Sequence, residues 1–266
     1  MSTSQANVVA LEDRRAPALG GFNLTVMRIE ARRVLRNRRA MLGTVVLPVA
    51  FFLLFGLNSA YASDKAGHGN VSAFIMISMA LYGAVIATTS GGAMVSIERA
   101  QGWSRQLRLT PLSPIAYIVI RMLSALVLGL TSLLAVYIVG LATGKPSMPG
   151  YLWFVTGLTV WVGSLIFAAF GLFMGYLMPT ENVMQVLSFV LVLLSFAAGL
   201  FVPLSQFPHL FREIAAYTPL YGLNYLVHAP LLGQGVHLSW VINAVVWLAI
   251  FAGGAAWRFR LDTKRV

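Results

Sequence analysis

Few residues in this chain of 266 are of the types that do covalent chemistry, and their spacing gives none of the arrangements such chemistry needs. Cysteine is absent, which removes thiol nucleophiles, thiolate metal sites and disulfides. The four histidines, His68, His209, His228 and His237, stand at no metal-ligand spacing and fall in the expected outer loops, where they read as surface or interfacial side chains. Neither HExxH nor GxSxG occurs, and no two carboxylates are paired for acid–base work. The nearest thing to a phosphate loop is GLATGK over 140–145. It has one residue too few between its glycines and is followed by Pro146 in place of Ser or Thr. A transferase acting on a lipid diphosphate would need clustered acidic residues around a metal, and the scattered Asp and Glu supply no cluster.

What the chain has in quantity is apolar length. Hydrophobic residues make up 58% and charged residues 10%, against roughly half and a quarter in soluble domains. Six apolar stretches are each long enough to cross a hydrocarbon core of about 30 Å as a helix. They lie at Leu42–Ala60, Val71–Ile97, Pro114–Leu141, Tyr151–Met178, Val183–Val202 and Ser239–Trp257. Backbone groups in lipid must be satisfied within the segment, so the expected fold class is an all-α polytopic membrane protein with six transmembrane helices. A β-barrel would need short alternating segments, which are not seen. No Asp, Glu, Lys or His falls inside these stretches, and Arg121, about a turn or two into the third, can snorkel to the interface. That pattern disfavours a carrier powered by ions, because such a carrier keeps a charge in the membrane to load and release its ion.

The formal charge of +11 is sorted by loop. Arg14, Arg15, Arg28, Arg32, Arg33, Arg36, Arg38 and Arg39 precede the first stretch; Arg99, Arg105, Arg108 and Arg121 follow the second; Arg258, Arg260, Lys264 and Arg265 follow the sixth. The alternate loops hold only Lys65, Lys145 and Arg212. The positive-inside rule then puts both termini in the cytoplasm of a multi-pass plasma (inner) membrane protein. Tyr61, Tyr151, Trp153 and Trp240 mark the outer ends of the spans, and Trp103, Tyr117, Tyr176 and Trp257 the inner ends. Bases that flank spans in this way are explained by topology, and nucleic acid is not expected as a partner.

Residues 1–20 read as a disordered cytoplasmic tail, and Glu12 and Asp13 ahead of any apolar core exclude a secretory signal. From 21 to 41 an imperfect apolar stripe runs among Arg28, Glu30, Arg32, Arg33 and Arg36, the pattern of an amphipathic helix lying on membrane lipids of the inner leaflet. Residues 258–266 form a second cytoplasmic tail, and 42–257 the transmembrane domain.

The loop at 98–113, ERAQGWSRQLRLTPLS, is a short polar helix held at the surface by Trp103, Leu107 and Leu109 and stopped by Thr110-Pro111. Glu98, Arg99, Gly102, Leu107, Thr110, Pro111, Leu112 and Ser113 resemble the inner loop of type-2 ABC transporter permeases. Arg105 departs from relatives that carry an acidic residue in the loop helix. A second resemblance lies in GLFVPLSQFP over 199–208, then Phe211, Arg212, Glu213 and Ile214, then TPLY over 218–221. Pro203, Pro208 and Pro219 break what would be one helix, and the family has here a re-entrant hairpin on the outer side (203–238), with Arg212, Glu213 and Tyr221 within it.

The resemblance implies the membrane subunit of an ATP-driven exporter for drug-like, lipid or polysaccharide cargo. It implies a second permease subunit, a homodimer ahead of a heterodimer, and a separately encoded cytoplasmic ABC ATPase. ATP and Mg would bind that ATPase and no cofactor or metal this chain, which has no nucleotide-binding motif. Glu98, Arg99, Gly102, Trp103, Leu107, Thr110 and Pro111 would couple to the ATPase, pushing the Phe22–Met41 helix and reorienting the second and fifth spans. Thr88, Thr89 and Ser90 on the second span and Gln185, Ser188 and Ser195 on the fifth are the candidate path residues; being polar without charge, they suit an apolar or amphipathic substrate. Read from the residues alone, an ion-coupled carrier, an integral enzyme of lipid metabolism and a membrane scaffold stay open.

Overall fold

The computed structural model describes residues 27–29, 32, 33, 36, 38–57, 60–102, 114–178 and 182–264. Of the amphipathic segment, Met27–Ile29, Arg32, Arg33 and Arg36 are helical, while Glu30 lies outside the described residues, as do the tail 1–20 and the loop residues Trp103, Leu107, Thr110 and Pro111.

Helix α1 (Arg38–Phe51) passes into a π-helical turn (Phe52–Gly56). A two-stranded antiparallel hairpin, β1 (Lys65–Ala66) with β2 (Gly69–Asn70), pairs Lys65 with Asn70 and Ala66 with Gly69. Helices α2 (Val71–Ala93) and α3 (Val95–Ala100) follow, broken only at Met94; then α4 (Pro114–Thr143), α5 (Gly150–Gly163) and α6 (Leu165–Leu177). Helix α7 (Val183–Ala197), a 3-10 turn (Leu204–Gln206), α8 (His209–Ala215), α9 (Tyr221–Leu232) and α10 (Leu238–Lys264) complete the described chain.

α2 is the centre of the bundle. It carries no charged residue, most of its side chains are buried, and α4 and α6 pack along it. Its start is fixed by Asn70, whose Oδ1 accepts from the amides of Ala73 (2.9 Å) and Ser147 (3.0 Å) while its Nδ2 donates to the Lys145 carbonyl (2.8 Å). One side chain thus caps α2 and ties the hairpin to the loop before α5. Small residues let the backbones meet: a Cβ on Gly171 of α6 would collide with the Thr89 carbonyl of α2. Gly175, one turn on, lies close against Ala93 and Val95, so both glycines serve contacts within this chain.

Among the described residues four helical runs are long and apolar enough to cross a membrane: Val71–Ala100, Ile115–Thr143, Gly150–Leu177 and Leu238–Leu261. The other two expected spans are shorter apolar helices, Leu42–Gly56 and Val183–Ala197. The expected Val183–Val202 helix stops early because Gly199 takes a left-handed φ of 81°, and the Leu200 amide turns back to the Ser195 carbonyl (3.0 Å). The second run passes the expected end at Ile97 and carries Glu98 inside the helix; α10 likewise continues past Trp257 to Lys264. In the 203–238 region three of the four prolines stand ahead of a helical turn rather than merely breaking one: Pro203 precedes the 3-10 turn, Pro208 precedes α8, and Pro219 lies just before α9, while Pro230 lies inside α9.

Candidate functional site: a charge cluster at the basic end of the bundle

Glu98 and Arg99 are neighbours on α3, so their side chains leave the helix about 100° apart and reach different elements. Glu98 turns to α4. Its Oε2 accepts from Arg121 Nη2 and from the Tyr117 hydroxyl (3.2 Å), and its Oε1 accepts from Arg33 Nη1 (3.1 Å). Tyr117 and Arg121 sit one turn apart on α4, and Arg121 Nε donates to the Tyr117 oxygen (3.2 Å). Glu98 is 4% exposed and Arg121 5%. Burying such a pair is tolerable only when the remaining hydrogen-bonding capacity is used, and here three donors converge on one carboxylate.

Arg99 turns to α6, where its Nη1 donates to the carbonyls of Tyr176 (2.9 Å) and Gly175 (3.4 Å). These are among the last carbonyls of a helix, which lack intrahelical donors and carry the negative end of its dipole. The guanidinium carbon also lies 5.5 Å from the centre of the Tyr176 ring. Phe259 of α10 closes the cluster, its ring 5.6 Å from that of Tyr117 and 5.9 Å from that of Tyr176. Two consecutive residues thus bind α3 to α4, α6 and the helical segment that holds Arg33. The carboxylate is fully engaged by cations and a phenol, an arrangement suited to carrying force between helices and not to moving protons.

This corrects two expectations. Glu98 is not a surface residue of a polar loop, and the Arg121 side chain does not extend outward as a snorkelling one would but is buried against that carboxylate across the helix contact. The sequence offers one signal for the pair: a lone basic residue well inside an apolar stretch, with Tyr117 one turn before it.

The other candidates are dispersed. Gly102 follows α3 with a left-handed φ of 75°. Arg28, Arg32 and Arg36 are exposed, and Arg33 is half-exposed beside Glu98. Arg212 and Glu213 are exposed on α8, with Glu213 Oε1 3.5 Å from His209 Nδ1. Tyr221 opens α9, and burial together with the neighbouring Tyr225 pushes its phenol up to about 12. Among the path residues, Thr88, Thr89 and Ser195 are fully buried against their own chain. Thr88 Oγ1 donates to the Ala84 carbonyl (2.8 Å) and Ser195 Oγ to that of Leu191 (2.7 Å), as hydroxyls in apolar helices commonly do. Gln185 and Ser188 are exposed on α7, and Ser90 is half-buried.

One histidine departs from expectation. His228 is no loop residue: it lies inside α9 and is 3% exposed. Its Nδ1 lies 2.9 Å from the Asn224 carbonyl, its Nε2 3.1 Å from Ser78 Oγ on α2 and 3.3 Å from the Phe74 carbonyl, and its ring centre 4.2 Å from that of Phe74. Burial holds the imidazole below its usual value, so it is neutral and carries a single ring proton. A hydroxyl beside an imidazole has the outline of a nucleophile and its base, yet both are closed off from solvent, and the pair serves to dock α9 on α2. Among the described residues no group of His, Asp and Glu could hold a metal ion.

Comparison with known proteins gives two matches. The family model described as ABC-2 type transporter matches residues 23–231. YvfS of Bacillus subtilis (strain 168), which is named as a transport permease, is 27% identical over 196 residues, spanning 72% of this chain and 78% of its own.

Proposed function

The chain belongs to the ABC-2 type transporter family, and from that premise we propose that it is the permease subunit of an ATP-driven exporter in the plasma membrane, with both termini cytoplasmic. It is a multi-pass membrane protein and a transport permease component. In the proposed assembly the basic end of the bundle faces the cytoplasm and meets a separate ABC ATPase, which binds ATP and Mg. Two copies of this chain form the transmembrane unit, and the cargo is apolar or amphipathic, drug-like or lipid.

The observation that supports this most is the binding of the α3 stub from several sides. A loop pressed by an ATPase moves the membrane helices only if it is tied to them. Glu98 and Arg99 supply the ties, to α4, to α6 and to the segment of Arg33. The surface that touches the ATPase then falls to Trp103, Leu107, Thr110 and Pro111. Gln185 and Ser188 remain the path candidates on α7, with Pro203, Pro208 and Pro219 shaping a re-entrant outer hairpin.

The test is to extract the tagged chain from its native membrane in mild detergent and ask whether an ATPase subunit accompanies it in near-equal amount, hydrolysing ATP in lipid. Arg99→Ala should keep the ATPase bound while lowering export per ATP hydrolysed several-fold. A chain that purifies alone under conditions that preserve complexes overturns the proposal.

A further inference from the structure

α1 contains Pro48, which has no amide hydrogen to give to the carbonyl of Thr44 one turn earlier. That carbonyl is not left bare. Ser132 on α4 donates its hydroxyl to it at 2.8 Å, and both Thr44 and Ser132 are buried. The approach depends on Gly83 of α2, where a Cβ would collide with Ser132 Oγ and press on Pro48. Three helices therefore meet at one replaceable hydrogen bond. A second irregularity, the π-helical turn Phe52–Gly56, begins four residues beyond the proline.

The two halves of α1 are held unequally. On the far side of Pro48, Phe52 is fully buried, and the Phe51 ring packs 6.4 Å from Tyr82 and 6.1 Å from Phe201, which itself packs 5.0 Å from Tyr82. On the near side, Leu42, Gly43, Val46 and Leu47 are exposed and Thr44 is buried. The helical residues just before α1 include Arg33, bound to Glu98.

We propose that Pro48, Gly83 and Ser132 form a joint about which the near half of α1 swings when the Glu98 cluster moves, the Ser132–Thr44 hydrogen bond being the catch that sets its resting position. Bending a regular helix would break backbone hydrogen bonds. Here the proline has already removed one, and the Ser132 hydroxyl contact stands in its place. The joint rests on the permease reading for its purpose, and its geometry stands without it.

The chain has no cysteine, so paired labels can be placed freely. Nitroxides at Leu42→Cys and Leu141→Cys, both exposed and at opposite ends of α1 and α4, report the swing as a distance in nanodiscs of phosphatidylethanolamine and phosphatidylglycerol. Ser132→Ala is expected to move the population towards the swung distance by about fivefold, the worth of one net hydrogen bond. Glu98→Gln, which removes the negative charge opposite Arg33, is expected to shift the same distance, and Pro48→Ala to suppress that shift. Unchanged distances in Ser132→Ala and Glu98→Gln, or a Glu98→Gln shift that survives Pro48→Ala, overturn the joint. Because the chain is measured alone, a swing seen in a protein that binds no ATPase overturns the permease reading and leaves the joint in place.

Discussion

Gly171 on α6 lies so close to the Thr89 carbonyl on α2 that no side chain fits between them, and Gly92 meets the Ala168 carbonyl in the same crossing. The neighbours on both sides are main chain, which cannot rotate away. Gly171→Ala should therefore cost more than the 1–3 kcal/mol or so of ordinary overpacking, and Gly171→Leu should prevent the monodisperse folded protein from forming in detergent. Gly43, also helical, faces open space, with no atom within 4 Å of the position a Cβ would take, and Gly43→Ala should leave thermal stability equal or raise it by about 0.5–1 kcal/mol. Melting curves of the two alanine variants decide the matter.

That crossing shows what the sequence could and could not disclose. Apolar length and the sorting of arginines were legible, because each helix must satisfy its own backbone in lipid. The family's loop motif was legible from Glu98 to Ser113. What a glycine pair packs against was not legible, since the same spacing serves any close contact, within a chain or between chains. Thr88 and Ser195 are ambiguous in the same way: a hydroxyl that bonds to its own helix looks, in sequence, like one that faces a path. Glu98 reads as a loop residue because hydropathy alone marks the helix ends, and a carboxylate ends an apolar run even where its partner, Arg121, keeps it buried. The length of α7 depends on a single residue, Gly199, whose left-handed φ no hydropathy pattern reveals.

For the Glu98–Arg121 pair, removal of one member leaves the other buried and charged. Glu98→Leu and Arg121→Leu should each lower stability by about 3–5 kcal/mol, while the double change to leucine should recover most of that loss. Thermal unfolding of the four proteins in one detergent measures the coupling. If the losses simply add, the two charges do not depend on each other in the way the geometry requires.

His228 makes a pH prediction. Its pKa in the folded protein is lowered by burial, so the unfolded chain binds its proton more readily. Stability from this residue is fully present above the unfolded histidine value of about 6.5 and is lost as pH falls below it. The wild-type melting temperature should decline from pH 7 towards pH 5 (roughly the histidine range) more steeply than that of His228→Gln, which keeps hydrogen-bonding capacity without a titratable ring. Parallel slopes in the two proteins would sink the idea.

Ser132 and Pro48 predict that the cost of one substitution depends on the other. In the native sequence Ser132→Ala takes the hydroxyl away from the buried Thr44 carbonyl and should cost about 1–3 kcal/mol. Pro48→Ala restores an amide that can serve that carbonyl within α1, so in this background the hydroxyl is no longer needed and Ser132→Ala should be close to neutral. The space left by the smaller side chain is the same in both cases, so any difference belongs to the carbonyl and not to packing. A double-mutant cycle on melting free energies reads it directly. Equal costs in the two backgrounds would mean that Ser132 is held at this node for its volume alone.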